Sequence, residues 1–366
     1  MSDGQKAPHF SHHLPFLTIL AHPLFCYVFI TQPFSATLLC ALAGVAESVD
    51  ACDSKSHLAR GEGSSPSSGT MKQKVLAVVG PTASGKTSLA ITMAEEFNGE
   101  VISADSRQVY KGLDEGTAKV TQAEMQGVPH HLISICDIDT TYTATDFARD
   151  AAEAIEDISA RGKLPIIAGG TFFYLDQLRG GFAAAPVAPN PTLRNELETL
   201  STEALLLELE SKDPRRAADI DPHNRRRLIR SLEIVAALGA VPPPTKSDSL
   251  YDFLIIGLER GKEELRSRFA VRAKEWLRGP FETEVRHLLD SGVSRERLHE
   301  IGFEYQLMLE YIDGTLTDDA FIQKCIEKNW QYAKRQMTWL KKDLAIQWIE
   351  ATKFDITPNI LQKFLK

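Results

Sequence analysis

The sequence predicts an α/β fold, a parallel sheet flanked by helices, carrying a small all-helical insertion domain. Three observations predict it. The apolar, β-branched run 75–79 has the pattern of a strand buried on both faces. Strand-like and helix-like segments then alternate at lengths that imply right-handed crossovers, with ligands at the strand C-termini. Between 183 and 222 that alternation stops, and a proline-bearing linker (Pro186, Pro189, Pro191) leads into two helical stretches.

Composition bounds what the fold can do. The 366 residues are 43% apolar and 25% charged, as in ordinary globular proteins, and the length allows two domains. A net charge of −8 excludes a uniformly basic coat for nucleic acid, while leaving room for local basic patches. Five scattered cysteines without C-x-x-C spacing argue against a disulfide framework or a structural zinc site, and favour a reduced, cytoplasmic setting.

Residues 1–70 do not match the rest. Between Lys6 and Glu47 there is no charged residue, yet Pro15, Pro23 and Pro33 cut this stretch into pieces too short to span a bilayer. It also lacks the basic start and small-residue cleavage site of a secretory signal. Residues 43–70 end in a Gly/Ser/Pro-rich tract and look like the conceptual translation of a transfer-RNA gene upstream of the true frame. Met71 stands four residues ahead of the first strand. The expectation is a non-native extension or a disordered tail, with a membrane anchor the least favoured reading.

The elements follow in order. After strand 75–79 comes Gly80-Pro81-Thr82-Ala83-Ser84-Gly85-Lys86-Thr87, which satisfies G-x-x-x-x-G-K-[ST], and then helix 88–97. Such a loop curls so that its N–H groups converge on phosphate oxygens at a helix N-terminus. Lys86 supplies a mobile positive charge, and the Thr87 hydroxyl can ligate Mg²⁺. The expectation is a P-loop NTPase-like core that binds phosphate. Residues 100–104 and 131–135 read as further strands. Thr143 and Asp146 have capping-box spacing ahead of the stripe Phe147, Ala151, Ile155, Ile158. Strand 164–168 tolerates Pro165 near its start.

Two strand ends carry chemistry. Strand 100–104 runs into Asp105, which can act as a base, hold Mg²⁺-bound water or simply cap the next helix. Strand 164–168 runs into Gly169-Gly170-Thr171 ahead of helix 172–178, a turn suited to close approach of a ligand or a plain turn with Thr171 as N-cap. Later, helices are expected at 192–200 and 201–211, a helix is ended by Pro242-Pro243-Pro244, and strand 252–258 returns to the sheet. Helix 262–277 buries Leu265, Phe269, Ala273 and Trp276 and carries Arg266, Arg268 and Arg272. These arginines could clamp an anion or lie on the surface with packed stems. Helix 318–342 has an apolar face (Phe321, Cys325, Ile326, Trp330, Ala333, Met337, Leu340) and a basic one (Lys324, Lys328, Lys334, Arg335, Lys341, Lys342).

Together these residues resemble the tRNA dimethylallyltransferase family. The resemblance rests on Gly80 to Thr87, Asp105-Ser106-x-Gln108-x-Tyr110, Pro129-His130-His131-Leu132, Tyr142-x-x-x-x-Phe147 and Gly169-Gly170-Thr171-x-x-Tyr174. Asn224-Arg225-Arg226-Arg227-Leu228-x-Arg230-x-Leu232-Glu233, Ile301-Gly302-Phe303 and Ala333-Lys334-Arg335-Gln336-x-Thr338-Trp339 continue it in the family's order over about 72–350. Two departures stand out. Phe303 replaces a frequent Tyr, and His223-Asn224 replaces a common Asn-Asp pair.

The resemblance implies transfer of a dimethylallyl group from its diphosphate to the N6 amine of the adenosine 3′ of the anticodon. It implies Asp105 as base, with Lys86, Thr171, Arg268 and Arg272 as further catalytic groups and Gly80, Pro81, Thr82, Ala83, Ser84, Gly85, Lys86 and Thr87 around the diphosphate. For tRNA it implies Asp105, Ser106, Arg107 and Gln108, then Arg226, Arg227, Leu228, Ile229 and Arg230, then His299, Glu300, Ile301, Gly302, Phe303 and Glu304. Mg²⁺ on Thr87 is the expected cofactor, the anticodon stem-loop and dimethylallyl diphosphate the partners, and a monomer away from membranes the expected state. The domain expectation is a core at 71–182, an anticodon-stem insertion at 183–222, a second core part at 223–350 and a tail at 351–366. From the residues alone, a small-molecule kinase, a prenyltransferase of free adenine nucleotides and a non-catalytic RNA-binding protein remain open.

Overall fold

The computed structural model describes residues 72–181, 185, 187–243, 245, 247–277 and 279–366, so the readings of residues 1–70 lie outside it. Among the described residues, no helix is long and apolar enough to cross a membrane.

Along the chain the elements are β1 (Gln73–Val79), α1 (Lys86–Glu96), β2 (Gly99–Ser103), α2 (Gln122–Met125), β3 (His130–His131), α3 (Ala144–Ala160), β4 (Leu164–Gly169) and α4 (Phe172–Leu178). Four helices follow: α5 (Pro191–Glu198), α6 (Thr202–Lys212), α7 (Pro214–Asp219) and α8 (Arg225–Leu238). Then come β5 (Tyr251–Glu259), α9 (Lys262–Leu277), α10 (Pro280–Asp290), α11 (Arg295–Ile301), α12 (Phe303–Ile312), α13 (Asp318–Leu340), β6 (Ile346–Glu350) and α14 (Thr357–Leu365). The strands form one sheet in the order β3-β2-β4-β1-β5-β6, and every pairing is parallel. This is the P-loop NTPase-like arrangement of a parallel sheet flanked by helices.

Alternation along β1 divides the core. Leu76 and Val78 face α1 and α14, while Val75, Ala77 and Val79 face α3, α4 and the end of α13. Burial on both faces explains why these strands read as continuous apolar runs. Helix α3 starts as its spacing predicts: Thr143 and Asp146 complete a reciprocal capping box, and Phe147, Ala151, Ile155 and Ile158 are buried.

The expected strand 131–135 is cut to His130–His131. Leu132 and Ser134 take φ of 60° and 53°, so the chain leaves the sheet, and the N–H groups of Ser134 and Ile135 bond instead to the carbonyls of Gln108 and Val109. Helix α8 ends before the prolines, where the Gly239 N–H caps the Val235 carbonyl. In the helical group, Leu197, Leu205, Leu209, Ala217 and Ile220 share one core with Leu228, Ile229, Leu232 and Val235, so α8 packs with α5–α7. Strand β6 and helix α14 have no counterpart in the sequence reading. Residues 351–366, expected as a tail, bury Leu361 fully against the sheet.

One ion cluster ties the sheet together. Glu100, 1% exposed, receives Arg161 Nη2, Lys163 Nζ and His131 Nε2 each at 2.7 Å, and Arg161 Nη1 as well. It thereby joins β2, the α3–β4 turn and β3. The Arg161 hydrogen bonds hold its carboxyl far below the ordinary 4.5, against the opposing effect of burial. A folded value below the unfolded one stabilises at pH above about 4.5 and is lost as pH falls through the folded value. Glu100→Gln is expected to lose about 2 kcal/mol at pH 7, below the usual figure for a broken buried pair because the cations keep water. Denaturant melts of both proteins check this: their gap should narrow as pH drops below 4.5, and a constant gap contradicts it.

Candidate active site

The phosphate loop joins β1 to α1. Gly85 precedes the helix at φ 99°, a left-handed conformation that glycine adopts readily. No side chain caps α1, which leaves its first-turn N–H groups directed outward for an anion. The loop is braced from two sides. Arg260, just past β5, donates from Nε to the Ser84 carbonyl at 2.9 Å, and Gln336 on α13 accepts the Thr82 N–H at 2.8 Å. Lys86 Nζ donates to the Pro81 carbonyl at 2.7 Å, so the ammonium folds back over the loop. Its surface is only partly covered, but neighbouring atoms crowd the ammonium. Burial lowers its pKa to about 8; Asp105 opposes that shift and Arg272 adds to it.

Asp105 therefore acts on Lys86 electrostatically from the end of β2. Its Oδ1 accepts the N–H groups of Arg107 at 2.9 Å and Gln108 at 3.4 Å. This is an Asx-type turn rather than a helix cap, since no helix follows. Among the described residues the other carboxylate oxygen has no partner, so one oxygen anchors and the other is available. Thr171 stands at the end of the neighbouring β4. Its hydroxyl accepts the Ser106 N–H at 3.0 Å and donates to the Ser106 hydroxyl at 3.3 Å. It makes no cap bond to α4, so both of its observed bonds brace the Asp105 turn.

A helical layer covers this row. Val109, Tyr110 and Leu113, which follow Asp105, pack with Ala273, Trp276, Phe281, Leu298, Tyr305 and Phe321 from α9–α13. Glu284 fixes the next turn by accepting the N–H groups of Asp114 and Glu115 at 2.8 and 2.6 Å. Ala83 of the loop touches the α9–α13 seam formed by Leu265, Phe269, Ile326 and Ala333. Arg272 is half-buried on α9, and burial lowers its pKa; Glu304 opposes this, while Arg107 and Arg268 add to it. Among the described residues neither Arg268 nor Arg272 makes a hydrogen bond or ion pair. Two neighbouring guanidinium groups with no directly bonded carboxylate suit a diphosphate.

The other expected residues divide sharply. Arg107 bonds Glu304 at 2.5 Å and lies over the Tyr332 ring, so this cation is neutralised inside the protein. Burial acts to lower its pKa, but Glu304 and Asp105 outweigh it and raise it. Gln108 donates to the carbonyls of Thr117 and Ala118. In this structure both side chains make their bonds within the protein. The side chains of Leu228 and Ile229, 0% and 4% exposed, belong to the helical core, and Ile301 is buried too. Arg230 bonds Glu233 and the Val187 carbonyl, and Arg225 is tied to Glu198 and the end of α5. Arg226, Arg227 and His299 are exposed; Glu300 is exposed but paired with Arg297. Gly302 and Phe303 are half-buried, next to the Arg107–Glu304 pair.

On the outer side of α13, Lys334, Arg335 and Trp339 line a shallow groove of 440 Å³ with Gln331 and Thr338. Lys324 and Lys341 are engaged by Glu310 and Glu259. The sequence reading missed Arg260 and the inward role of Gln336. A basic residue directly after a strand that neighbours the loop was the available signal for Arg260. Among the described residues there is no cluster of three or more His, Cys, Asp or Glu that could hold a metal.

With this geometry in view, the chain can be compared with known proteins. A family model described as IPP transferase matches residues 108–343. A tRNA dimethylallyltransferase of Thermomicrobium roseum is 40% identical over 288 residues, which cover 77% of this chain and 88% of the relative. The crystal structure of a full-length tRNA isopentenylpyrophosphate transferase from Bacillus halodurans is similar with a TM-score of 0.60 at 35% identity, covering 80% of this chain and 96% of that one. A eukaryotic dimethylallyltransferase acting on tRNA is similar with a TM-score of 0.68 at 29% identity, covering 80% and 78%.

The depressed Lys86 gives a signature. Above pH about 8 its ammonium loses a proton, and with it the charge that a bound anion at the loop would meet. Affinity for inorganic diphosphate should fall by roughly tenfold per pH unit beyond the titration of diphosphate itself, the limit for one linked proton. Lys86→Arg keeps its charge and should show only the ligand's own titration. Calorimetric titrations from pH 6 to about 9.5 compare the two, and matching profiles would contradict the assignment.

Proposed function

The chain belongs to the IPP transferase family, and we propose on that premise that it transfers a dimethylallyl group from dimethylallyl diphosphate to the N6 amine of the adenosine 3′ of the anticodon in tRNA. The observation that carries the site assignment is the electrostatic facing of Asp105, at the end of β2, and Lys86, in the loop after β1, across the end of the β4 strand between them.

In this reaction N6 forms a bond to the first carbon of the allyl group, and the bond from that carbon to the diphosphate oxygen breaks. The departing diphosphate takes the electron pair, and the amine proton passes to the free oxygen of Asp105. The lone pair of an exocyclic adenine amine is delocalised into the ring, so a base that removes its proton assists bond formation. Charge developing on the diphosphate meets the loop N–H groups, Lys86, Arg268 and Arg272, each such contact worth roughly 3 kcal/mol. Thr171 holds the Ser106 turn, which keeps Asp105 in place.

The donor set fits a hard cation carried with the diphosphate. Thr87 is exposed at the loop and offers one hydroxyl oxygen, and among the described residues no cluster of three or more acidic, His or Cys side chains forms a metal cage. Mg²⁺ accepts one protein ligand when phosphate oxygens and waters supply the rest, and when bound it offsets negative charge on the diphosphate.

The acceptor base must leave its stack to reach Asp105, which favours a loop substrate over a duplex. Arg226 and Arg227 on α8, and Lys334 and Arg335 on α13, are exposed and form no ion pair among the described residues, which suits them to the RNA backbone. The reading places the enzyme in the cytoplasm with its tRNA substrates.

Two outcomes are expected. Asp105→Asn keeps the acceptor for the Arg107 N–H, so the turn should survive while turnover drops 10²- to 10⁴-fold, roughly the acid–base contribution. Nucleoside analysis of tRNA incubated with protein, Mg²⁺ and dimethylallyl diphosphate measures it; undiminished prenyladenosine in the variant would exclude Asp105 as base. Replacing Arg226 and Arg227 together with Ala should lower tRNA affinity and reduce the salt slope of binding by about 2. An unchanged slope in filter binding would place the RNA elsewhere.

A further inference from the structure

The basic helix α13 turns a polar side chain inward that the mechanism above does not use. Gln336 is 8% exposed, on the buried side with Ala333 and Leu340. Its Oε1 accepts the Thr82 N–H at 2.8 Å, and its Nε2 donates to the Gly170 carbonyl at 3.0 Å. One partner lies in the phosphate loop, the other at the turn that carries Thr171. Through Thr171 and Ser106 the same series of hydrogen bonds reaches the Asp105 turn.

Chemistry narrows what can stand there. A primary amide offers an acceptor and a donor at a fixed separation on one planar group. Both partners are backbone atoms, so changing their own side chains cannot remove the demand for that pair. Gly170 belongs to the arrangement: a Cβ at that position would run into the Gln336 amide nitrogen. The neighbours Lys334 and Arg335 point to solvent, so the α13 segment that fits an RNA backbone also holds the diphosphate loop.

We propose that Gln336 is a positioning residue for the transfer, setting the distance between the phosphate loop and the Asp105–Thr171 turn. The proposal rests on the transferase reading above. Each half of the site has its own scaffold, the β1–α1 loop on one side and the β2 and β4 ends on the other. Losing Gln336 therefore leaves both substrates bound and degrades only their mutual placement, where an error near 1 Å costs about 100-fold in rate.

The test is two-substrate steady-state kinetics on the full chain with tRNA and dimethylallyl diphosphate, alongside thermal melts and diphosphate binding. Gln336→Glu keeps an acceptor for Thr82 and loses the donor to Gly170. Its kcat should fall about 100-fold with the KM for tRNA within about threefold, and the uncharged Gln336→Asn should leave the affinity for inorganic diphosphate within about threefold of wild type. Gln336→Asn retains both groups one methylene short and should lie between this variant and wild type. It also supplies the comparison should the glutamate variant not fold. A kcat per folded enzyme equal to wild type in either variant would overturn the proposal, leaving Gln336 as a packing element. A raised KM for tRNA at unchanged kcat would overturn it in favour of a direct RNA contact. Wild-type protein that releases no diphosphate and prenylates no tRNA would defeat the transferase reading itself, and this proposal with it.

Discussion

The site depends on the order of three neighbouring strands. Because β2, β4 and β1 lie side by side and run parallel, their C-terminal ends present Asp105, Thr171 and the phosphate loop in a row. Strands in a sheet are about 4.8 Å apart, so the outer two turns stand about 10 Å from one another. Side chains projecting inward from both reduce that span to the scale of an amine, an allylic carbon and a phosphate oxygen in line. The ladder itself enforces the separation: β1 pairs with β4 from Leu76↔Ile166 to Val79↔Gly169, and β2 with β4 as far as Ser103↔Ala168. The chemistry inherits its geometry from backbone hydrogen bonds.

Charge is organised on this frame. The chain is acidic overall, at −8, yet Lys86, Arg107, Arg268 and Arg272 converge near the loop. Glu304 cancels Arg107, and among the described residues Arg268 and Arg272 on α9 form no ion pair. The burial that lowers the pKa values of Lys86 and Arg272 marks a place where positive charge costs energy until an anion arrives. On the proposed function, binding of diphosphate would relieve that cost, and negative charge released in the reaction would meet groups already in position.

How much of this the sequence discloses varies by element for physical reasons. Strands β1, β2, β4 and β5 are apolar on both faces and read plainly, as does α9 with its buried Leu265, Phe269, Ala273 and Trp276. Strand β3 reads too long because its termination lies in left-handed Leu132 and Ser134, residue types that carry no stop signal. Strand β6 is a short edge strand in which Gln347 and Glu350 are exposed, a weak pattern beside the long helix before it. The loop, Asp105 and Thr171 are legible because they follow strands directly. The inward turn of Arg107 and Glu304 is not, since the partners lie far apart in sequence: Arg107 meets Glu304 only after α9–α12 fold back over β2. The basic run 225–230 also reads as one patch, whereas helical periodicity and local acids divide it into Arg226 and Arg227 on the outside, Leu228 and Ile229 in the core, and Arg225 and Arg230 in structural bonds.

The central claim is that one cavity holds the diphosphate at Lys86 and the acceptor amine at Asp105. A crystal structure of the protein with an anticodon stem-loop and the unreactive thiolodiphosphate analogue of the allyl donor tests it most directly. The account predicts the diphosphate on the loop N–H groups and Lys86, with the adenine N6 about 3 Å from the free oxygen of Asp105. A flipped base held elsewhere, with that oxygen more than a water's reach from N6, would contradict it.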